Sequence, residues 1–403
     1  MRILALTSWW PEPADNGSRL RIANLLRALA RHHEIHLISF IQEEVTAAQI
    51  QKMRELCVSV KVVQQRVWHP RPGEQIKSLW HAEPASFRAT WSPEFDQCVR
   101  YQAAVSKPDA VIAFQINTAR YALGVPGVPR LLEELEVGNI HTDFVLQRTP
   151  HRRLRAWLTW QKHTSYVRRL LRYFDACTVV SDKERQLVRA IASFMHNVHV
   201  VPNGTEVMLS ADCGEPQRDT LIYPGALTFD ANFDAVKYFL GDIFPYIKAA
   251  RPDARLIVTG KAPSDRRAAL PQVEGVEFTG YVPDVRPFVA RSWCEVVPLR
   301  LGGGTRLKVL EALALGTPVV STPKGVEGLE LEHNVHVLIA QTAREFAEAT
   351  LNILERPDLR ARLASQGRRR VIERYDWRVI GEQLNDLLGA IVERRLAVSY
   401  RSA

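Results

Sequence analysis

The chain has 403 residues, more than one ordinary core organises, so two domains of roughly 200 residues each are expected. A hydrophobic content of 46% excludes a disordered chain, and a net charge of +9 points to anionic partners such as nucleotide diphosphates, acidic lipid headgroups or nucleic acid without choosing among them. The five cysteines, Cys57, Cys98, Cys177, Cys213 and Cys294, are scattered, odd in number and without Cys-x-x-Cys spacing, which argues against a disulfide framework or structural zinc and fits a reducing cytosol.

From the N-terminus, short apolar strands alternate with helical patterns: RILALTS, a helix from Arg19 to Arg31, EIHLISF, a further helix, then SVKVVQQ. This is the rhythm of a parallel sheet. Met1 to Leu6 is too short an apolar run for a signal sequence, and no segment approaches the roughly 18 uninterrupted apolar residues that span a bilayer. The loop from Pro11 to Ser18 places Asn16 and Gly17 just after the first strand, where open α/β sheets bind ligands, although a simple helix entry reads the same way. Between Trp68 and Cys98 the pattern weakens into an excursion rich in proline and tryptophan.

Further strands are expected at Asp109 to Gln115 and Arg130 to Leu135; the latter ends among Glu133, Glu134 and Glu136, which read as solvated carboxylates or as groups facing a cleft. The segment Thr149 to Phe174 is basic and aromatic, with Leu154, Trp157, Leu158, Trp160, Val167, Leu170 and Leu171 at helical spacing. A helix with its apolar stripe in the core explains this periodicity; so does a helix whose cations, from Arg152 to Arg172, rest on an anionic membrane. Strands at Asp175 to Asp182 and Val198 to Gly204 close the first half, the second ending in the turn Pro202-Asn203-Gly204, and Thr205 to Thr220 reads as a linker.

The rhythm then restarts with TLIYPGAL, a helix from about Asn232 to Arg251, ARLIVTG, VEFTGYV, CEVVPLR, PVVSTP and HVLIAQ, nearly all apolar and so buried on both faces. Ala343 to Val398 is helical, with breaks at Pro357 and near Trp377. The most informative stretch is PLRLGGGTRLKVLEALALGTPVVSTPKGVEGL, which reads as strand, glycine loop, helix, strand, with Thr305 as N-cap and Gly316 as the left-handed residue beyond the helix. Gly302, Gly303 and Gly304 let an anion approach unpaired N–H groups at the positive end of a helix, Arg306 and Lys308 add charge, and Glu311 offers a carboxylate for sugar or ribose hydroxyls. The combination points to a nucleotide diphosphate, and the loop is neither a Walker A nor a Gly-x-Gly-x-x-Gly fingerprint.

These segments, together with DACTVVSDKERQLV, VVPNG, YPGALTFDANFDAVKYF and VEFTGYVPDV, resemble the retaining glycosyltransferases of family 4 over nearly the whole length. The resemblance implies an α/β, GT-B fold of two Rossmann-like doubly wound domains facing a cleft: an acceptor-side domain at 1–204, a linker at 205–220, a nucleotide-sugar donor domain at 221–376, and a helix at 377–403 crossing back to the first domain. It implies transfer of a sugar from a nucleotide diphosphate sugar to a saccharide or lipid-linked acceptor, with retention and without metal or other cofactor, in envelope polysaccharide or glycolipid synthesis at the cytoplasmic face of the membrane. By position, Gly302 to Thr305 would receive sugar and diphosphate, Glu311 the ribose hydroxyls, Tyr281 and Val282 would border the base, Gly225 would allow close approach, and Asn16 and Gly17 would serve the acceptor or diphosphate side. The sequence departs from the family where Gly303 replaces the first of two glutamates and Asn232 stands near the missing Arg and Lys pair, so Arg306 and Lys308 are expected to carry the leaving-group charge. No histidine follows the fourth strand; Gln115 and Asn117 are the nearest polar residues. Competing readings are a nucleotide-sugar epimerase of the same fold and a basic, non-enzymatic protein binding nucleic acid or membrane.

Overall fold

A computed structural model describes residues 1–14, 16–65, 81, 83–207 and 214–402, so Cys213, the centre of the expected linker and most of the first part of the Trp68 to Cys98 excursion lie outside the described residues. The chain divides into two compact units: Met1–Pro202 together with the chain from Ile380 onward, and Asn203–Val379.

The first unit runs β1 (Arg2–Thr7), α1 (Gly17–Leu29), β2 (Glu34–Ile41), α2 (Ala47–Arg54), β3 (Ser59–Gln64), α3 (Ala85–Ala89), α4 (Pro93–Ser106), β4 (Ala110–Phe114), α5 (Ile116–Ala122), β5 (Arg130–Glu133), α6 (Gly138–Leu146), α7 (Pro150–Leu171), β6 (Ala176–Val179), α8 (Asp182–Ile191) and β7 (Val198–Val200). Its sheet has the order β3-β2-β1-β4-β5-β6-β7, parallel throughout, with Ile3 opposite both Ile35 and Ala110. The order reverses between β1 and β4, which marks the carboxyl ends of those two strands as the crevice where open parallel sheets bind ligands.

The second unit runs β8 (Gln217–Pro224), α9 (Asp230–Tyr238), a π-helical turn at Phe239–Ile243, α10 (Phe244–Ala250), β9 (Arg255–Thr259), α11 (Ser264–Ala268), β10 (Val276–Gly280), α12 (Arg286–Arg291), β11 (Ser292–Val297), α13 (Leu307–Ala314), β12 (Val319–Ser321), β13 (Leu338–Ile339), α14 (Ala343–Glu355) and α15 (Pro357–Arg374). Its parallel sheet is ordered β10-β9-β8-β11-β12-β13, with the reversal between β8 and β11. The strand β8 begins at Gln217, inside the stretch expected as linker, because Gln217 already pairs with Ser292 of β11.

The last helix, α16 (Trp377–Ser402), leaves the second unit and packs on the first. Ile380, Leu384, Leu388 and Ile391, spaced three and four apart, are buried, and Gly381 sits so close to α1 that a Cβ there would come within 2.2 Å of the Ala28 Cβ. His33 Nε2 and Asn385 Oδ1 are 2.7 Å apart, and Gln383 Nε2 donates to the Val200 carbonyl at 2.8 Å. No helix among the described residues is long and apolar enough to cross a membrane.

Candidate active site

In the second unit the reversal of strand order brings together the end of β8, at Gly225, and the loop after β11, at Gly302 to Thr305. Gly225 is held by its N–H to the Thr259 carbonyl at 3.1 Å, and a Cβ in its place would meet Asn232 Nδ2 and Lys308 Nζ, each at 2.9 Å. Asn232, in the first turn of α9, accepts from Tyr223 Oη (2.8 Å) and from Lys308 Nζ (3.3 Å) and donates to the Ala226 carbonyl (2.9 Å). The ammonium of Lys308 also lies 4.0 Å from the centre of the Tyr223 ring. Four of the residues at this edge, Gly225, Asn232, Tyr223 and Lys308, thus form one contact group.

The glycine loop is shaped as its sequence demands, with Gly302 at φ 98° and Gly304 at φ 76°, a region that favours residues without a Cβ. Gly316 closes the following helix at φ 76°, as expected for the residue past a helix end. The helix starts later than the sequence indicated. Arg306 occupies the N-cap position of α13 and no side chain caps it, while the hydroxyl of Thr305 accepts from Asn203 Nδ2 at 2.9 Å. Thr305 is therefore drawn to the turn at the start of this unit, and the uncapped helix end remains open to an anion.

The two cations read as a pair occupy different positions. The Arg306 guanidinium turns back on its own loop, donating from Nη1 to the Gly303 carbonyl and from Nη2 to the Gly302 carbonyl, both at 2.9 Å, and it is buried. It braces the glycines. Lys308 faces neutral partners, and no carboxylate lies within ion-pair distance of it among the described residues. By contrast, nearby Arg300 is paired with Asp234 and Arg266 with Asp230, each at 2.7 Å. Burial pushes the Lys308 ammonium down to about 8, with Glu295 and Glu311 opposing and Arg306 assisting.

Glu295, in the middle of β11, is fully buried with neither carboxylate oxygen hydrogen-bonded, and burial drives its pKa well above the usual range against the pull of Lys308. Sequence reasoning missed it, since CEVV reads as a buried strand and nothing marks its one acid. Glu311, one turn beyond Lys308, is half-buried, and burial raises its pKa against the pull of Lys308 and Arg286. At the outer strand β10, Gly280 takes φ 71° and the chain presents Tyr281 with 80% of its surface exposed, followed by half-buried Val282.

In the first unit, Asn16 caps α1, accepting from the Arg19 N–H at 3.0 Å, and Gly17 follows it exposed. The same helix carries a fully buried arginine, Arg21. Its Nε donates to Glu133 Oε1 at 2.9 Å, and Nη1 and Nη2 donate to the carbonyls of Pro202 and Val201, each at 2.9 Å. Glu133 is therefore an interior ion-pair partner, where the sequence offered only a solvated or cleft-facing carboxylate; the pairing spans 112 residues and no local pattern announces it. Glu134 differs from Glu133: it is half-buried and accepts from Gln115 Nε2 at 2.9 Å.

In α7 the expected apolar stripe splits. Val167, Leu170 and Leu171 are buried, but Leu154 is 58% exposed and Trp157 41% exposed. The turns of this helix up to Trp157 leave the stripe exposed, and the core contact begins at Trp160.

Two family models match the chain in succession. One, described as "Glycosyl transferase 4-like domain", matches residues 16–204, and another, "Glycosyl transferases group 1", matches residues 218–356. The GDP-mannose-dependent monoacylated alpha-(1-6)-phosphatidylinositol monomannoside mannosyltransferase of Corynebacterium glutamicum is 28% identical over 156 residues, which is 36% of this chain and 41% of that protein. The chain thus spans less than half the length of this curated relative. Among solved structures, HepE of Anabaena in complex with UDP superposes with a TM-score of 0.64 at 14% identity, covering 97% of this chain and 100% of the other. Sucrose-phosphate synthase of Thermosynechococcus elongatus gives 0.63 at 18% identity, covering 99% and 100%. These likenesses are of fold.

Proposed function

Because the chain belongs to the family 4-like glycosyltransferases of GT-B fold, we propose that it moves a hexose from a nucleotide diphosphate sugar to a saccharide or lipid-linked acceptor. The observation that carries this reading is Lys308, a cation whose hydrogen-bond and ring partners among the described residues are neutral, beside an open helix end and a glycine loop. Glycosyl transfer breaks the bond from the anomeric carbon to the diphosphate and leaves the electron pair on the departing oxygen. A preorganised cation and a helix N-terminus stabilise that charge more in the transition state than in the ground state. Arg306 acts through the loop, by fixing the glycine carbonyls so that their N–H groups face the diphosphate. Gly302, Gly303, Gly304 and Thr305 line this seat, Glu311 receives hydroxyls, Tyr281 and Val282 border the base, and Asn232 holds Lys308 in place. Asn16 and Gly17 belong to the acceptor or diphosphate side. We further propose retention of configuration, which the anomeric coupling constant of the product decides.

Among the relatives, HepE binds UDP and UDP-glucose and the Corynebacterium mannosyltransferase depends on GDP-mannose, which supports a donor of this class without fixing its base. A panel of UDP, GDP, ADP and TDP sugars tests the reading by donor hydrolysis and transfer. Wild type is expected to turn over at least one of them, and Lys308→Ala to lose about 10²-fold or more in turnover, the scale of removing one charge-stabilising group. A panel with no turnover, or a Lys308→Ala variant as active as wild type, refutes it.

The acceptor side includes a membrane contact in this proposal. Val145 and Leu146 at the end of α6, and Leu154 and Trp157 on α7, are exposed apolar side chains, and Arg148, Arg152, Arg153 and Arg155 lie among them in sequence. Apolar groups at headgroup depth with arginines on lipid phosphates suit a peripheral protein at an anionic, cytoplasmic face. Co-sedimentation with phosphatidylglycerol vesicles, but not with phosphatidylcholine vesicles, is expected, with loss of binding in Arg152→Glu/Arg153→Glu/Arg155→Glu. Equal binding to both vesicles contradicts the contact.

A further inference from the structure

At the carboxyl ends of adjacent strands β4 and β5, Gln115 and Glu134 both take positive φ, 67° and 58°. Gln115, with ψ 159°, occupies a region that is essentially reserved for glycine. Such a conformation costs on the order of 1–3 kcal/mol and persists where surrounding structure imposes it, most often at functional sites. Here the imposed geometry brings the two side chains together, Gln115 Nε2 donating to Glu134 Oε2 at 2.9 Å. The second oxygen, Oε1, lies 4.0 Å from Arg21 Nε, beyond a hydrogen bond, because that guanidinium donates to Glu133 and to the carbonyls of Val201 and Pro202. The Glu134 N–H is fixed by Thr178 Oγ1 at 2.9 Å. The result is an amide at the carboxyl end of β4, which borders the strand-order reversal of the first unit, beside a largely buried carboxylate at the end of the next strand, β5.

Resting on the transferase reading above, we propose that Gln115 and Glu134 form the subsite that grips hydroxyl groups of the saccharide acceptor. A carboxylate with one oxygen open accepts from one hydroxyl of a diol, and the adjacent amide oxygen accepts from the next, a pairing suited to sugars. The two residues position the acceptor and take no part in bond breaking. Glu134 is surrounded by Arg21 from α1, Gln115 from the end of β4, and Glu133 and Glu136 on its own segment; burial pushes it up to about 7, with Glu133 and Glu136 adding to the shift and Arg21 and Gln115 opposing it. Only the ionised form offers both oxygens as acceptors, so acceptor affinity rises with pH through neutrality, and the dependence disappears in Glu134→Gln.

The test is saturation-transfer NMR on the full chain with UDP or GDP present, using the methyl glycosides of glucose, galactose and mannose as probes, alongside nucleotide affinity on the same samples. Glu134→Gln tests the carboxylate. Gln115→Gly removes the amide and relieves the backbone, so it stays folded with an unchanged or raised Tm. The expected result is at least a tenfold weaker glycoside signal in both variants, nucleotide Kd within twofold of wild type, and loss of the pH dependence in Glu134→Gln. Glycoside contact that persists in both variants, or that wild type never shows while it binds nucleotide, overturns this proposal and leaves the transferase reading standing. A wild type that binds none of UDP, GDP, ADP and TDP overturns the transferase reading, and this proposal falls with it.

Discussion

Lys308 illustrates what a single residue contributes and how pH exposes it. Its pKa is depressed from 10.5 to about 8, mainly by burial, so the group is cationic at neutral pH and loses its proton as pH rises through 8. In the unfolded chain the lysine keeps its proton up to about 10.4. Between these values the unfolded state binds more protons, so this residue makes the free protein more stable as pH rises. Donor affinity runs the other way, since a diphosphate needs the charged form. Donor kcat/KM is therefore expected to fall above pH 8 in wild type and to hold level there in Lys308→Arg, whose guanidinium stays charged. A pH–rate profile with the same basic limb in both enzymes contradicts the assignment. The sequence identified Lys308 and Arg306 together, but it did not separate them, because both are cations at a helix start and only the fold shows that one serves its own loop. Glu295 and Glu133 were illegible for a related reason: a buried acid inside an apolar run is recognised only once its surroundings are known.

The element that organises the second unit is the strand, glycine loop and helix from β11 to α13, and it was largely legible from local pattern. Three glycines, an apolar stripe and a terminal glycine each have a local cause, and the dihedral angles of Gly302, Gly304 and Gly316 agree with it. The helix start was misplaced by one residue, because Thr305 is held by Asn203, about a hundred positions earlier, and a long-range bond outranks a capping preference. What periodicity does not reveal is how tightly this element fits the end of β8. Gly225 has an ordinary φ, so alanine there introduces no backbone strain, yet its Cβ falls 2.9 Å from both Asn232 Nδ2 and Lys308 Nζ. Both are side-chain ends that yield by a few tenths of an ångström. Gly225→Ala is thus expected to leave Tm within about 2 °C of wild type while raising donor KM roughly tenfold, the size of a misplaced charge–diphosphate contact. A large fall in Tm with unchanged KM would make Gly225 a packing residue alone.

At the scale of the whole molecule, the first unit is built from both ends of the chain, and its completeness depends on α16. The helix contributes Ile380, Leu384, Leu388 and Ile391 to its buried surface, along with polar contacts to His33 and to the Val200 carbonyl. Burying four such side chains is worth about 8 kcal/mol at roughly 2 kcal/mol each, a large share of the 5–15 kcal/mol by which domains are stable. Ending the chain at Val379 removes this and uncovers Ala28 on α1, whereas β8 to α15 keep every strand of their own sheet. Calorimetry of the truncated chain is expected to retain the transition of the second unit and to lose, or shift sharply downward, that of the first. Nucleotide binding, which this reading assigns to Lys308 and the glycine loop, survives with weakened affinity, and transfer to an acceptor is abolished. Both transitions moving together would mean that the units unfold as one cooperative block. An unchanged first transition would mean that α16 adds little to the unit on which it packs.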